Sequence, residues 1–201
     1  QCKVAIATWS GTGSQAITGV GFQPTGLIGW VNNGVATGSS LTAGTNGVSD
    51  YALSFAGDTS CSSAVGLSAL SGCATNKSDT ESRQESNALF VTNDGRGASL
   101  TSLDADGFTF NSTLSGTGVY FAYLAIAGCA INVGTFTQAT STGAQVVPIV
   151  AGSPRGLLLA STDKVAASGD TDDLLLSLGA GTFDGSTVES SCIWTGNLDN
   201  K

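Results

Sequence analysis

Val119-Tyr120-Phe121-Ala122-Tyr123-Leu124-Ala125-Ile126-Ala127 carries no charged residue and no turn former, so neither of its alternate faces offers water a polar side. A stretch this short, rich in aromatic and branched residues, fits a strand better than a helix. It is expected to be a central strand buried on both sides. Nearby, Phe108-Thr109-Phe110-Asn111 alternates apolar with polar, the pattern of a half-buried strand with Phe108 and Phe110 inward. Similar short runs at 3–9, 15–20, 26–31, 51–56, 64–70, 88–92, 98–102, 108–113, 132–138, 144–150, 156–161, 174–178 and 187–194 are separated by Gly, Asn-Gly and Ser/Thr clusters. Many short strands with such turns and almost no helical periodicity predict an all-β fold, an antiparallel β-sandwich of jelly-roll-like kind. Residues 71–86 contain no apolar run and are expected to form a long surface loop.

A partial duplication runs through the chain. Thr12-Gly13-Ser14-Gln15-Ala16-Ile17 returns as Thr142-Gly143-Ala144-Gln145-Val146-Val147, and at the same offset Pro24-Thr25-Gly26-Leu27-Ile28 returns as Pro154-Arg155-Gly156-Leu157-Leu158. Two related meanders are expected at about 5–31 and 133–161, folded by mutual pairing into one domain over 1–201. A chain of 201 residues is within the range in which an all-β fold closes as one unit.

Composition removes whole classes of function. There is no His, so no Ser/His/Asp or Cys/His triad and no imidazole acid or base. The net charge is −8 and only seven residues are Lys or Arg, scattered from Lys3 to Lys201, which argues against nucleic acid and against an anionic membrane surface. No apolar stretch approaches the ~18 residues of a membrane-spanning helix. With no Met and with Gln at position 1, the chain is expected to be a processed or edited product.

The five cysteines, Cys2, Cys61, Cys73, Cys129 and Cys192, include no CxxC pair, which disfavours a zinc ribbon or a thioredoxin-type site. Cys61 and Cys73 flank an apolar segment and are candidates for a loop-closing disulfide; separate buried thiols are the alternative. Asp104-Ala105-Asp106-Gly107 resembles the start of a calcium loop but lacks the later ligands, so a hairpin turn is expected and no metal. Asp170, Asp172 and Asp173 are better placed to guard the apolar Leu174-Leu175-Leu176 than to hold a cation. Asp104 or Asp106 with Glu189 is a conceivable glycosidase pair, but nothing in the sequence sets their separation. Gly11-Thr12-Gly13 and Gly95-Arg96-Gly97 open no helix, so neither makes a phosphate cradle. Trp9, Trp30 and Trp194 are candidates for a sugar-stacking platform or for core and rim packing. Neither a catalytic residue nor a cofactor is expected.

Ile17-Thr18-Gly19-Val20-Gly21-Phe22-Gln23-Pro24 resembles the ITGVGFQP signature of a family of tailed-bacteriophage structural proteins. Residues 100–111 (LTSLDADGFTFN) and 120–128 (YFAYLAIAG) are similar to two further segments of that family, in the same order. The similarity covers 3–159. It departs at Ala122 and Tyr123, where the family carries a His, across 60–73, and at Gly152-Ser153-Pro154, a reduced second GFQP. The resemblance implies an all-β virion component, a capsid decoration or a tail- or fibre-associated protein on the particle exterior, non-enzymatic and contacting copies of itself and other virion proteins. A carbohydrate-binding sandwich that recognises a host glycan is the alternative. Residues 1–49 contain no acidic residue and a single Lys3, so they are expected at an interface or beneath the sheet, with Lys3, Trp9 and Trp30 as candidate contact residues.

Overall fold

Phe108 and Phe110 from one strand meet Phe121 and Tyr123 from another, and two of the three sheets are packed through that contact. The computed structural model describes residues 1–9, 11–32, 48–57, 63–72, 77–86, 88–91, 97–113, 119–148, 154–161, 170–171, 173–184 and 186–198. Their strands are β1 (Cys2–Trp9), β2 (Gly13–Ile17), β3 (Gly26–Asn32), β4 (Val48–Ala56), β5 (Ser63–Gly72), β6 (Lys77–Ser86) and β7 (Phe90–Val91). They continue with β8 (Gly97–Asp104), β9 (Gly107–Ser112), β10 (Val119–Ile126), β11 (Gly156–Ser161), β12 (Asp170–Thr171), β13 (Asp173–Phe183) and β14 (Val188–Leu198). The fold is all-β, without a helix among the described residues.

Three antiparallel sheets result: β1-β10-β3-β4-β5-β6-β12, β2-β9-β8-β7 and β11-β13-β14. The first two press their aromatic faces together. Phe110 meets Phe121 edge-on with ring centres 5.6 Å apart, and Phe108 meets Tyr123 edge-on at 5.2 Å. Such tilted pairs set the positive ring edge against the negative face of the next ring and add to simple apolar burial. Val20, Leu27, Ala56, Leu89, Ala98, Leu100 and Ala125 complete this core among the described residues. β1 supplies only Ala5 and Ala7 to it, opposite Tyr123 and Phe121, because the rings already fill the space. A bulge between Leu100 and Ser102 shifts the face of β8 by one residue, which brings Leu103 back against the core beside Phe108.

Four expectations change. Residues 77–86, within the expected loop, form β6 and pair with β5 along their whole length. Their charges fall at alternate positions, Lys77, Asp79, Glu81, Arg83 and Glu85, a strand period written in charge instead of apolarity. β10 is central, between β1 and β3, but over 121–126 its residues alternate: Phe121, Tyr123 and Ala125 are buried, while Ala122, Leu124 and Ile126 are half-buried, because no second layer covers them among the described residues. The first copy of the duplication is not one meander, since β1 and β3 lie in the seven-stranded sheet and β2 in the four-stranded one. In the second copy, 132–138 and 144–148 are not strands and are exposed apart from the half-buried Val133, with no strand partner among the described residues.

Residues 131–148 leave the core as an arm. Ile131 anchors it: a Cβ at Gly26 would stand 2.5 Å from Ile131 Cδ1, and one at Gly57 would stand 2.5 Å from the Ile131 carbonyl oxygen. Only glycine at both positions lets the arm cross β3 and β4 this closely.

Candidate interaction face and the joint behind it

Where β1 turns its alanines inward, it turns Val4 and Ile6 outward, 72% and 63% exposed. The register extends this outer face in two rows: Val4, Leu124, Ile28 and Phe55, then Ile6, Ala122, Trp30 and Leu53. Trp30 is 44% exposed and the other five are half-buried. These rows contain no charge and no hydrogen-bonding group except the Trp30 indole N–H. An apolar sheet face of this kind is suited to contact and not to chemistry.

Behind the face, two segments singled out in the sequence meet. The DADG stretch is the two-residue hairpin that joins β8 to β9. In it, Asp104 accepts the Ser102 hydroxyl and the Thr109 hydroxyl, both at 2.7 Å. Asp106 reaches further, to the TGVGFQP loop, where its carboxylate accepts the backbone N–H groups of Gly19 and Gly21. The Val20 N–H donates to the Asp106 carbonyl at 3.1 Å, and Gln23 Nε2 donates to the Leu103 carbonyl at 2.8 Å. Gly19 and Gly21 have φ of +79° and +88°, a left-handed conformation that turns successive N–H groups to one side. Lys3 closes the joint, its ammonium donating to the Gly19 carbonyl.

The electrostatics follow from these bonds. Asp106 titrates below the ordinary carboxylate value, chiefly because Gly21 and then Gly19 donate to it, with a smaller pull from Lys3. Asp104 is lowered by the Ser102 and Thr109 hydroxyls. In the β13–β14 turn Asp184 is lowered by the N–H groups of Thr187 and Ser186 and by the Ser186 hydroxyl. Burial raises the Tyr123 phenol. Asp104 and Asp106 have both carboxylate oxygens committed to neighbours within the protein, Asp184 accepts through Oδ1, and no group of three metal-ligating side chains occurs among the described residues.

The candidates from the sequence are dispersed. Trp30 lies on the apolar face, Lys3 is half-buried in the joint, and Trp9 ends β1 opposite Val119. Trp194 is on β14 of the three-stranded sheet, so the tryptophans do not form one row. Glu189, exposed on β14 opposite Thr182, belongs to a different sheet from the hairpin of Asp104 and Asp106. Asp170 is in β12 and Asp173 begins β13, while Asp172 lies outside the described residues. The proposed pair Cys61 and Cys73 lies outside them too; Cys2, Cys129 and Cys192 are free and exposed. Val4 and Ile6 were not singled out. Their signal was present in Lys3-Val4-Ala5-Ile6-Ala7, where the larger apolar residues alternate with the smaller ones.

No helix among the described residues is long and apolar enough to cross a membrane. Comparison with protein-family models, with curated proteins and with solved structures finds no significant match to this chain.

Proposed function

We propose that this chain is a non-enzymatic structural protein of a virion, carried on the particle exterior as a capsid decoration or a tail- or fibre-associated component, and that it acts by protein–protein contact. The observation that carries this is the charge-free double row from Val4 to Phe55 and from Ile6 to Leu53, a surface without chemistry and too apolar to be idle. The sequence resemblance supports it, because two of the similar segments, 17–24 and 100–111, meet in the Asp106 joint that stiffens the fold behind that face. The architecture that goes with this role is a jelly-roll-like sandwich built from the seven- and four-stranded sheets. Mass-spectrometric inventory of purified particles tests the proposal: the chain recovered at a fixed ratio to the major capsid or tail protein is expected, and its absence overturns the proposal.

Trp30 favours a second function, carbohydrate recognition by aromatic stacking on the same face. Glycan-array binding that is lost in Trp30→Ala, together with absence from particles, would replace the first proposal with this one.

A further inference from the structure

Beyond the two apolar rows, at the end where β10 begins, the same face carries a third row of another kind. The register places Thr8, Tyr120, Asn32 and Tyr51 opposite one another across β1, β10, β3 and β4. Each is two residues along its strand from the row of Ile6, Ala122, Trp30 and Leu53, so strand alternation puts both rows on one face. Two tyrosine positions therefore flank an asparagine, and Trp30, 44% exposed, precedes that asparagine by two residues on β3. The arm crosses this face at Gly26 and Gly57, at the other end of β3 from Asn32.

Charge is sorted between the two faces of the seven-stranded sheet. Lys3, Asp50, Asp170 and the five charges of β6, Lys77, Asp79, Glu81, Arg83 and Glu85, all hold register positions on the face of Phe121 and Tyr123. The face of Trp30 carries no charged residue on any of the seven strands, in a chain of net charge −8. Where β6 contributes to it, the residues are Ser78, Thr80, Ser82, Gln84 and Ser86, hydroxyls and one amide. A charged ligand would find no counter-charge there, and its desolvation would go uncompensated. Aromatic rings, amides and hydroxyls without charge match a neutral sugar: its C–H faces stack on rings, and its hydroxyls both donate to and accept from amides. The two apolar rows lack those amides, so the third row adds a chemistry that simple apolar contact does not need.

We infer that Tyr120, Asn32, Tyr51 and Trp30 form a binding site for a neutral, extended β-1,4-linked glycan chain that lies across the strands. The spacing selects the linkage. Tyr120 and Tyr51 are separated by one intervening strand, roughly 10 Å at the usual strand spacing, which is the repeat of two sugars in an extended β-1,4 chain. Alternate sugars then stack on Tyr120 and Tyr51, and the sugar between them meets Asn32 beside Trp30. An α-1,4 chain coils and does not stay in register with a row of this kind. The inference rests on carbohydrate recognition at Trp30, the second function proposed above, and gives that site its ligand class.

Titration calorimetry with cellohexaose, chitohexaose and β-1,4-mannohexaose, and with maltohexaose as the coiled control, tests it. At least one β-1,4 chain is expected to bind roughly tenfold or more tightly than maltohexaose. Tyr51→Ala and Tyr120→Ala should each weaken that binding by roughly tenfold, while Tyr51→Phe and Tyr120→Phe, which keep the ring, should retain it and so separate lost stacking from a folding defect. Saturation-transfer NMR on the wild-type protein needs no variant: the C–H protons on the sugar ring faces should receive the strongest transfer. The inference is overturned by equal affinity for maltohexaose, by β-1,4 binding that survives both alanine variants, or by a protein that ignores all three β-1,4 chains. Any of these results, with binding to some glycan on an array that is lost in Trp30→Ala, leaves carbohydrate recognition standing and removes only the ligand class. A wild-type protein that binds no glycan at all overturns both, and its retention on purified particles would then give the whole face to protein contact.

Discussion

Gly107 lies so close against Ile17 that a Cβ built on it would overlap the Ile17 carbonyl oxygen. This follows from the register, in which Ile17 at the end of β2 sits opposite Phe108 at the start of β9, just where the hairpin closes. Gly107 also has a φ of +154°, a backbone conformation that L side chains rarely adopt. Gly107→Ala should therefore push β2 away from the hairpin and destabilise the fold by about 3 kcal/mol, in the tail reserved for strain at special backbone positions. Urea titration checks this, with an unchanged midpoint as the contrary result.

Phe110 is fully buried and stands perpendicular to Phe121. Phe110→Ala should cost about 3–5 kcal/mol, the usual range for deleting a buried ring. In a double-mutant cycle with Phe110→Leu and Phe121→Leu, the ring pair should show a coupling of about 1 kcal/mol beyond area burial. Additive losses would mean that the two sheets are held by apolar area alone.

Asp106 gives the joint a pH dependence of definite sign. Its carboxylate is favoured in the folded state, so its folded pKa lies below the unfolded value, and its contribution is present at neutral pH and lost as pH falls through the folded pKa. Asp104 and Asp184 act in the same direction. The melting temperature should fall as pH drops below about 4, near the ordinary carboxylate value. Asp106→Asn keeps an acceptor and loses the charge, so it should melt lower at pH 7 and show a shallower acid limb. A variant with an acid limb as steep as the wild type's would show that Asp106 plays no part.

On the apolar face, Ile6→Lys and Trp30→Lys should change the stability by no more than about 0.5 kcal/mol, as is typical of exposed substitutions. If that face is the contact surface, each should reduce binding to purified particles in a sedimentation assay by at least tenfold. Undiminished sedimentation would move the contact to another surface.

What could be seen in the sequence depended on where the partner of each element was. β11 has the bounds 156–161 that its apolar run suggested, and the DADG hairpin follows from turn chemistry confined to four residues. The bond from Asp106 to Gly19 is not visible in this way, because it links segments far apart in the chain and no local pattern marks the acceptor. Residues 132–138 and 144–148 show the converse. They have strand composition, but a strand also needs a neighbour, and composition says nothing of whether one is in reach. β6 is not marked by apolar alternation, because its strand period alternates charged with uncharged polar residues.

The pairing of β1 with β10 fixes an order of events during synthesis. Cys2 waits for Ile126 and Trp9 for Val119, on the order of a hundred residues further along, and β2 waits almost as long for β9. At the usual ribosomal pace of ~5–20 residues per second, Val4 and Ile6 stay unpaired for roughly 10 s after emerging. Through that interval the nascent chain presents to every neighbouring nascent chain an apolar, edge-competent segment whose single charge is Lys3. Crowded translation of a single message, as in rapid overexpression, would therefore favour misassembly through β1 before β10 exists, and slower synthesis would raise the soluble yield more than any change to the finished protein.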